Sequence, residues 1–128
     1  ATGRPRRVGP FDSVASRYGL KCQNADKIAL TKLDVLGAMD EIPIITGYKH
    51  GNTIVKYFDP TENLENYTPV IKTLPGWKSD ISNCRKYSAL PDKAKKYVET
   101  LENLLDHEIQ FISVGAERNQ YLLKGKWL

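Results

Sequence analysis

Apolar positions in this chain recur with two different spacings, and each spacing predicts an element. Phe11, Val14, Ala15, Tyr18 and Cys22 fall at i, i+3, i+4, i+7 and i+11, which predicts an amphipathic helix with Asp12 or Ser13 placed to cap its first turn. Ile28, Ala29 and Leu30 form a short run without alternation, the pattern of a strand buried on both faces. In "IPIITGYKHGNTIVKYF" two apolar runs flank His50-Gly51-Asn52, a composition that permits the positive φ values of a tight hairpin. "PVIKTL" predicts a further strand, and in "LPGW" the pair Pro75-Gly76 favours a turn from which Trp77 can fold back onto the core. Residues 78 to 90 read as irregular. Ala94, Tyr97, Val98, Leu101, Leu104 and Leu105 then share one helical stripe, with Pro91 suited to the first turn. "EIQFISVG" and "QYLLKG" read as two strands around a tight connection, Gly115 to Asn119.

The order helix, strand, hairpin, strand, helix, strand, strand predicts an α/β fold with some antiparallel pairing. No repeat, low-complexity tract or linker interrupts it. The charged loop at the start leads into a helix with no strand before it, so the sheet reads as the continuation of something.

Composition narrows the functional classes. The 128 residues are 41% hydrophobic and 27% charged, enough for one packed core. No run approaches the ~18 apolar residues of a membrane span, and the opening charges are followed by Gly9 and Pro10 where a secretory signal would have an apolar run. The expectation is a cytoplasmic protein without a membrane partner. The net charge of +4 is concentrated at the start: without Arg4, Arg6 and Arg7, 16 basic residues face 15 acidic ones. Lys93, Lys95 and Lys96 are offset by Glu99 and Glu102, and no aromatic residues interleave with the basic ones in sequence. A nucleic-acid partner is not expected. Cys22 and Cys84 lack the spacing of a zinc site and read as reduced thiols; His50 and His107 read as surface residues, with no triad or metal partner at a suitable spacing.

Candidate chemistry begins where the apolar run 28–30 gives way to Thr31-Lys32-Leu33-Asp34. Polar side chains at a strand's carboxyl end occupy the ligand-binding position of open α/β sheets, and TKxD is a pattern with which many GTP-binding proteins read guanine. A carboxylate accepts two parallel N–H bonds, matching the N1–H and N2–H₂ donors of guanine. Adenine has no such pair and would leave the carboxylate unpaired, at roughly 1 to 3 kcal/mol. Lys32 can lay its alkyl stem along the purine plane. A second apolar strand ends in Ser113-Val114-Gly115, where backbone N–H groups can meet the other edge of a base. No GxxxxGK[ST] phosphate loop is present, so a self-sufficient GTPase is not expected. The opening arginines suit an anionic substrate, with Gly3 allowing close backbone approach and Pro5 stiffening the loop.

Together "TGRPRRVGPFD" at 2–12, "LTKLDVL" at 30–36, "LPGW" at 74–77 and "ISVGAER" at 112–118 resemble adenylosuccinate synthetase, in that order along the chain. The resemblance covers the whole sequence but about the last third of the family's length. It implies the C-terminal part of a mostly parallel central sheet flanked by helices, in the P-loop-NTPase-like fold of that family, with residues 1–128 as one domain or fragment. It further implies the GTP-dependent joining of IMP and L-aspartate, with Mg²⁺ assisting, in a cytoplasmic homodimer. By resemblance Ala1, Thr2, Gly3, Arg4, Pro5 and Arg6 form the loop that closes on aspartate, with Arg4 also meeting IMP and Arg6 beside GTP. Lys32, Leu33 and Asp34 would form the guanine site and Ser113, Val114 and Gly115 its other wall. The family's general base, transition-state histidine, phosphate loop and metal ligands would lie upstream, so no catalytic or metal residue is assigned here and the segment is expected to be inactive alone. Ala1 stands where threonine is common, which concerns a substrate hydroxyl contact; Pro10 for tryptophan and Ala116 for proline concern packing and turn stiffness. Two alternatives carry their own expectations: a stand-alone guanine-nucleotide binding module, and a structural domain with a basic arm that binds no nucleotide.

Overall fold

The computed structural model describes residues 3, 5, 7–59 and 61–125. In chain order these form β1 (Phe11–Asp12), α1 (Ser13–Gln23), β2 (Ile28–Leu30), a 3-10 helix (Leu33–Ala38), β3 (Glu41–His50), β4 (Thr53–Val55), β5 (Tyr67–Pro75), α2 (Asp92–Leu105), β6 (Ile109–Ser113) and β7 (Tyr121–Leu123), with short 3-10 turns at Leu64–Asn66 and Tyr87–Ala89.

Two sheets carry the strands. In the first, β3 pairs antiparallel with β5 from Glu41↔Pro75 to His50↔Tyr67, its outer half hairpins onto β4, and β1 adds a short parallel pair at Phe11↔Ile44. In the second, β6 lies between β2, which is parallel to it, and β7, which is antiparallel. The α/β class holds, as two mixed sheets with helices. Antiparallel pairs predominate among the described strands because β3–β4 is joined by a tight turn and β6–β7 by the short segment 114–120, whereas a parallel pair needs a long crossover. The crossover from β2 to β6 runs through β3, β4, β5 and α2.

The core fills the space between the sheets and α2. Ala94, Tyr97, Val98 and Leu101 of α2 are buried in one cluster with Ile42, Ile44 and Leu74 of the first sheet and Ile109, Ile112, Val114 and Leu122 on the second side, and Leu105 of α2 is buried as well. Trp77, Ile81 and Leu90 close it from the irregular segment. Each fully buried Leu or Ile is worth about 1.5 to 3 kcal/mol relative to exposure, so the predicted stripe of α2 contributes much of the packing.

Three expectations are corrected. A strand does precede the first helix: β1 pairs in parallel with β3. The helix at α1 forms, with Asp12 as its cap through bonds from Val14 N (2.9 Å) and Ala15 N (3.0 Å), but its buried residues are Ser13 and Val14, while Ala15, Tyr18 and Cys22 are exposed. The Ser13 hydroxyl donates to the Ile45 carbonyl at 2.8 Å, which docks the first turn on β3; no described element covers the remainder of the expected stripe. β2 is likewise not buried on both faces. It is an edge strand whose Ala29 is exposed while Ile28 and Leu30 are half-buried. Both cysteines are free. Both histidines are partly exposed: His50 stacks on Tyr67 with centroids 4.7 Å apart, and His107 Nδ1 lies 3.0 Å from the Leu105 carbonyl.

Candidate functional site

The parallel register of β2 on β6 places Leu30 opposite Ile112. Both strands end within one residue of that pair, so Thr31–Asp34 and Ser113–Gly115 leave the sheet side by side at its carboxyl end, where ligands of open α/β sheets bind. The two segments are 79 or more residues apart in sequence, and only the fold joins them.

Local geometry explains how Asp34 is presented. Lys32 adopts the left-handed conformation at φ 62°, turning the chain out of β2 into the 3-10 helix, and the Val35 N–H donates to its carbonyl at 3.3 Å. Leu33 is 1% exposed and pins this turn to the core. Lys32 is exposed and Asp34 half-buried, and no hydrogen bond or ion pair holds the Asp34 carboxylate among the described residues. A half-buried carboxylate with both oxygens uncommitted can accept two parallel N–H bonds.

The facing turn is held from within. Val114 is fully buried, and its N–H donates to the Gln120 carbonyl at 2.9 Å; the Ser113 hydroxyl donates to the Gly115 carbonyl at 3.2 Å. Of the three N–H groups expected to face a base, that of Val114 is therefore occupied. The Gly115 N–H has no partner among the described residues. Leu33 and Val114 belong to the core through their side chains, so only their main chain can meet a ligand.

The far end of the 3-10 helix is clamped by residues that sequence reasoning treated only as a turn. The Gly76 N–H donates to the Asp40 carbonyl at 2.7 Å, and a Cβ at Gly76 would stand 1.9 Å from the Met39 carbonyl oxygen. Lys78 Nζ donates to the Ala38 carbonyl at 2.9 Å and pairs with Asp40 at 2.7 Å. Trp77 is buried beside Tyr97, with its Nε1 close to Gly37. The Pro-Gly dipeptide signalled a turn, but Pro75 ends β5 and the Gly76 N–H carries the pairing with the β3 side one residue further, to Asp40.

Other concavities lie elsewhere. A depression of about 550 Å³ at the amino end of β6 is lined by Glu102, Asp106, His107 and Lys124 among others. There Glu102 accepts from Ile109 N at 2.9 Å and is closely paired with Lys124. Lys124 also sits 5.0 Å over the Tyr87 ring, and the Tyr87 phenol is pushed up to about 12 by burial, then by Glu99 and Glu102. A smaller depression of about 290 Å³ gathers Arg17, Lys21 and Lys56 beside Tyr18, Tyr57 and Phe58, bringing together two basic–aromatic pairs that lie far apart in sequence.

Of the predicted aspartate loop, Ala1, Thr2, Arg4 and Arg6 lie outside the described residues. Gly3 takes φ +62°, which glycine permits, and Gly3, Pro5 and Arg7 are exposed. Among the described residues no three His, Cys, Asp or Glu side chains gather to hold a metal ion, so these residues do not by themselves fit the magnesium that the resemblance implies. No described helix is long and apolar enough to cross a membrane.

The fold is that of an α/β protein in which two segments distant in sequence leave one sheet side by side at the carboxyl ends of its strands. The chain belongs to the adenylosuccinate synthetase family, whose model matches residues 1–122. Adenylosuccinate synthetase of Pelobacter propionicus is 45% identical over 123 residues, covering 95% of this chain and 29% of that relative; the enzyme of Staphylococcus saprophyticus is 40% identical over 128 residues, covering 98% and 30%. The structure of fully ligated adenylosuccinate synthetase from Plasmodium falciparum superimposes with a TM-score of 0.88 at 39% identity, over 96% of this chain and 30% of that one. The chain thus spans about 30% of the length of these relatives.

Proposed function

We propose that this chain is the guanine-reading and aspartate-gripping part of a GTP-dependent carbon–nitrogen ligase that converts IMP and L-aspartate to adenylosuccinate. The observation that carries the proposal is the Leu30↔Ile112 pairing, which sets Lys32–Asp34 beside Ser113–Gly115. Asp34 accepts from N1–H and N2–H₂ of guanine, the Lys32 stem lies along the purine, and the Gly115 N–H meets O6. The loop of Ala1, Thr2, Gly3, Arg4, Pro5 and Arg6 holds the aspartate carboxylates through its guanidinium groups, so that the amine faces the activated carbon. Arg4 also meets the IMP ribose and Arg6 lies beside GTP.

In the whole reaction the γ-phosphoryl group moves from GTP to O6 of IMP, leaving GDP. The aspartate amine then attacks C6, and phosphate departs with the O6 oxygen. Magnesium, when bound, neutralises the phosphate charge; its ligands and the phosphate loop are assigned to the remainder of the polypeptide. The working unit is a cytoplasmic homodimer. A stand-alone nucleotide module is disfavoured because relatives of this chain are more than three times as long.

The test is turnover of the whole synthetase with IMP and aspartate. GTP should support it, ATP should not, and Asp34→Ala should raise KM for GTP about tenfold or more, equivalent to ~1.4 kcal/mol, with KM for IMP unchanged. An unaltered KM for GTP in that variant contradicts the proposal.

A further inference from the structure

Gln120 stands outside every motif that pointed to the site, yet it meets the second guanine wall through both its main chain and its side chain. Its carbonyl accepts the Val114 N–H at 2.9 Å and its own N–H donates to the Glu117 carbonyl at 3.0 Å. Its side-chain Oε1 accepts the Glu117 N–H at 2.8 Å. The side-chain amide also fills the space beside Gly115: a Cβ there would lie 2.1 Å from Oε1 and 2.4 Å from Cδ. Glycine at 115 therefore does more than allow a turn. It leaves room for the Gln120 amide to pack against the main chain from beneath.

We infer that Gln120 is a positioning residue for guanine recognition, fixing the Ser113–Gly115 main chain so that the Gly115 N–H is aimed at O6 while Asp34 holds the neighbouring N1–H and N2–H₂ donors. This rests on the guanine-site reading above. The physical argument concerns what is otherwise free to move. Ala116, Glu117, Arg118 and Asn119 are exposed, so the connection from β6 to β7 has no cover among the described residues. Without the Oε1 bond the Glu117 N–H is returned to solvent, and the side chain that packs beside Gly115 is no longer held in place, which relaxes the restraint on the glycine's φ and ψ. An N–H donor that must be held in place by the ligand itself binds more weakly than one already in position. The chemistry of the step is untouched, because guanine lies away from the transferred phosphoryl group.

The role predicts a split in kinetic constants in the whole synthetase. Gln120→Met keeps the side-chain length and removes the acceptor; it should raise KM for GTP about fivefold or more, with kcat and KM for IMP within about twofold. Gln120→Glu retains an acceptor for Glu117 N–H and should recover most of the loss. Asp34→Asn serves as the reference. If Asp34→Asn weakens GTP use and Gln120→Met does not, the positioning role is wrong while the guanine site stands. If neither changes KM for GTP, the guanine-site reading fails and takes this inference with it. A Gln120→Met enzyme whose kcat and every KM deteriorate together has a general folding defect, and the positioning role is overturned.

Discussion

The Tyr48 hydroxyl donates to Oδ2 of Asp12 at 2.5 Å, while Oδ1 of the same carboxylate caps α1. One side chain thus joins the carboxyl-terminal part of β3 to the start of α1, just after the charged segment that opens the chain. Protonated phenol is required for this bond.

Stability should therefore fall at alkaline pH. Tyr48 is pushed up to about 12, chiefly by burial and then by its bond to Asp12; burial alone pushes Tyr97 to the same value. Their ordinary value is 10.0, so the folded state retains these protons after the unfolded chain has released them. The resulting contribution is complete below pH 10 and is lost as pH rises through about 12. Urea midpoints measured across this range should decline, and Tyr97→Phe should lessen the slope. A midpoint that stays level throughout contradicts the assignment.

Glycines at two positions should respond oppositely to alanine. At Gly76 the added methyl meets the Met39 carbonyl oxygen at 1.9 Å and displaces the bond to Asp40. Gly76→Ala should cost about 1 to 3 kcal/mol by overpacking. Gly19 lies inside α1 with nothing within 4 Å of its added Cβ, and Gly19→Ala should stabilise by roughly 0.5 to 1 kcal/mol through helix propensity. Thermal unfolding of the two variants reads the signs directly; a neutral Gly76→Ala would mean the clamp on the 3-10 helix is slack.

Local signals carried much of the fold because they act over a few residues. The stripe of α2, the turn at His50-Gly51-Asn52 and the cap at Asp12 each depend on neighbours in sequence, and all are realised. The errors at α1 and β2 have a different origin: apolar spacing says that a face can be covered, and the described elements leave Tyr18 and Ala29 exposed. At the candidate site the residue types of Lys32 and Asp34 were legible, since the chemistry of a carboxylate toward guanine needs no fold. What holds them was not. Gly76 reaches Asp40 and Gln120 reaches Gly115 through main-chain geometry, and a Pro-Gly pair or a lone glutamine carries no mark of its partner. Nor did sequence reveal that the Val114 N–H is already occupied, because its partner is the carbonyl of Gln120.

The central claim is that Asp34 reads the purine edge, and exchanging its chemistry tests it most directly. Xanthine keeps the N1–H donor of guanine but has a carbonyl oxygen in place of the amino group. Asparagine at 34 can accept from N1–H through its oxygen and donate to that carbonyl through its amide. In the whole synthetase, Asp34→Asn should lower the affinity for GTP about tenfold or more, and raise that for xanthosine triphosphate by a similar factor. Equal GTP and xanthosine triphosphate affinities before and after the substitution would show that the base is read elsewhere.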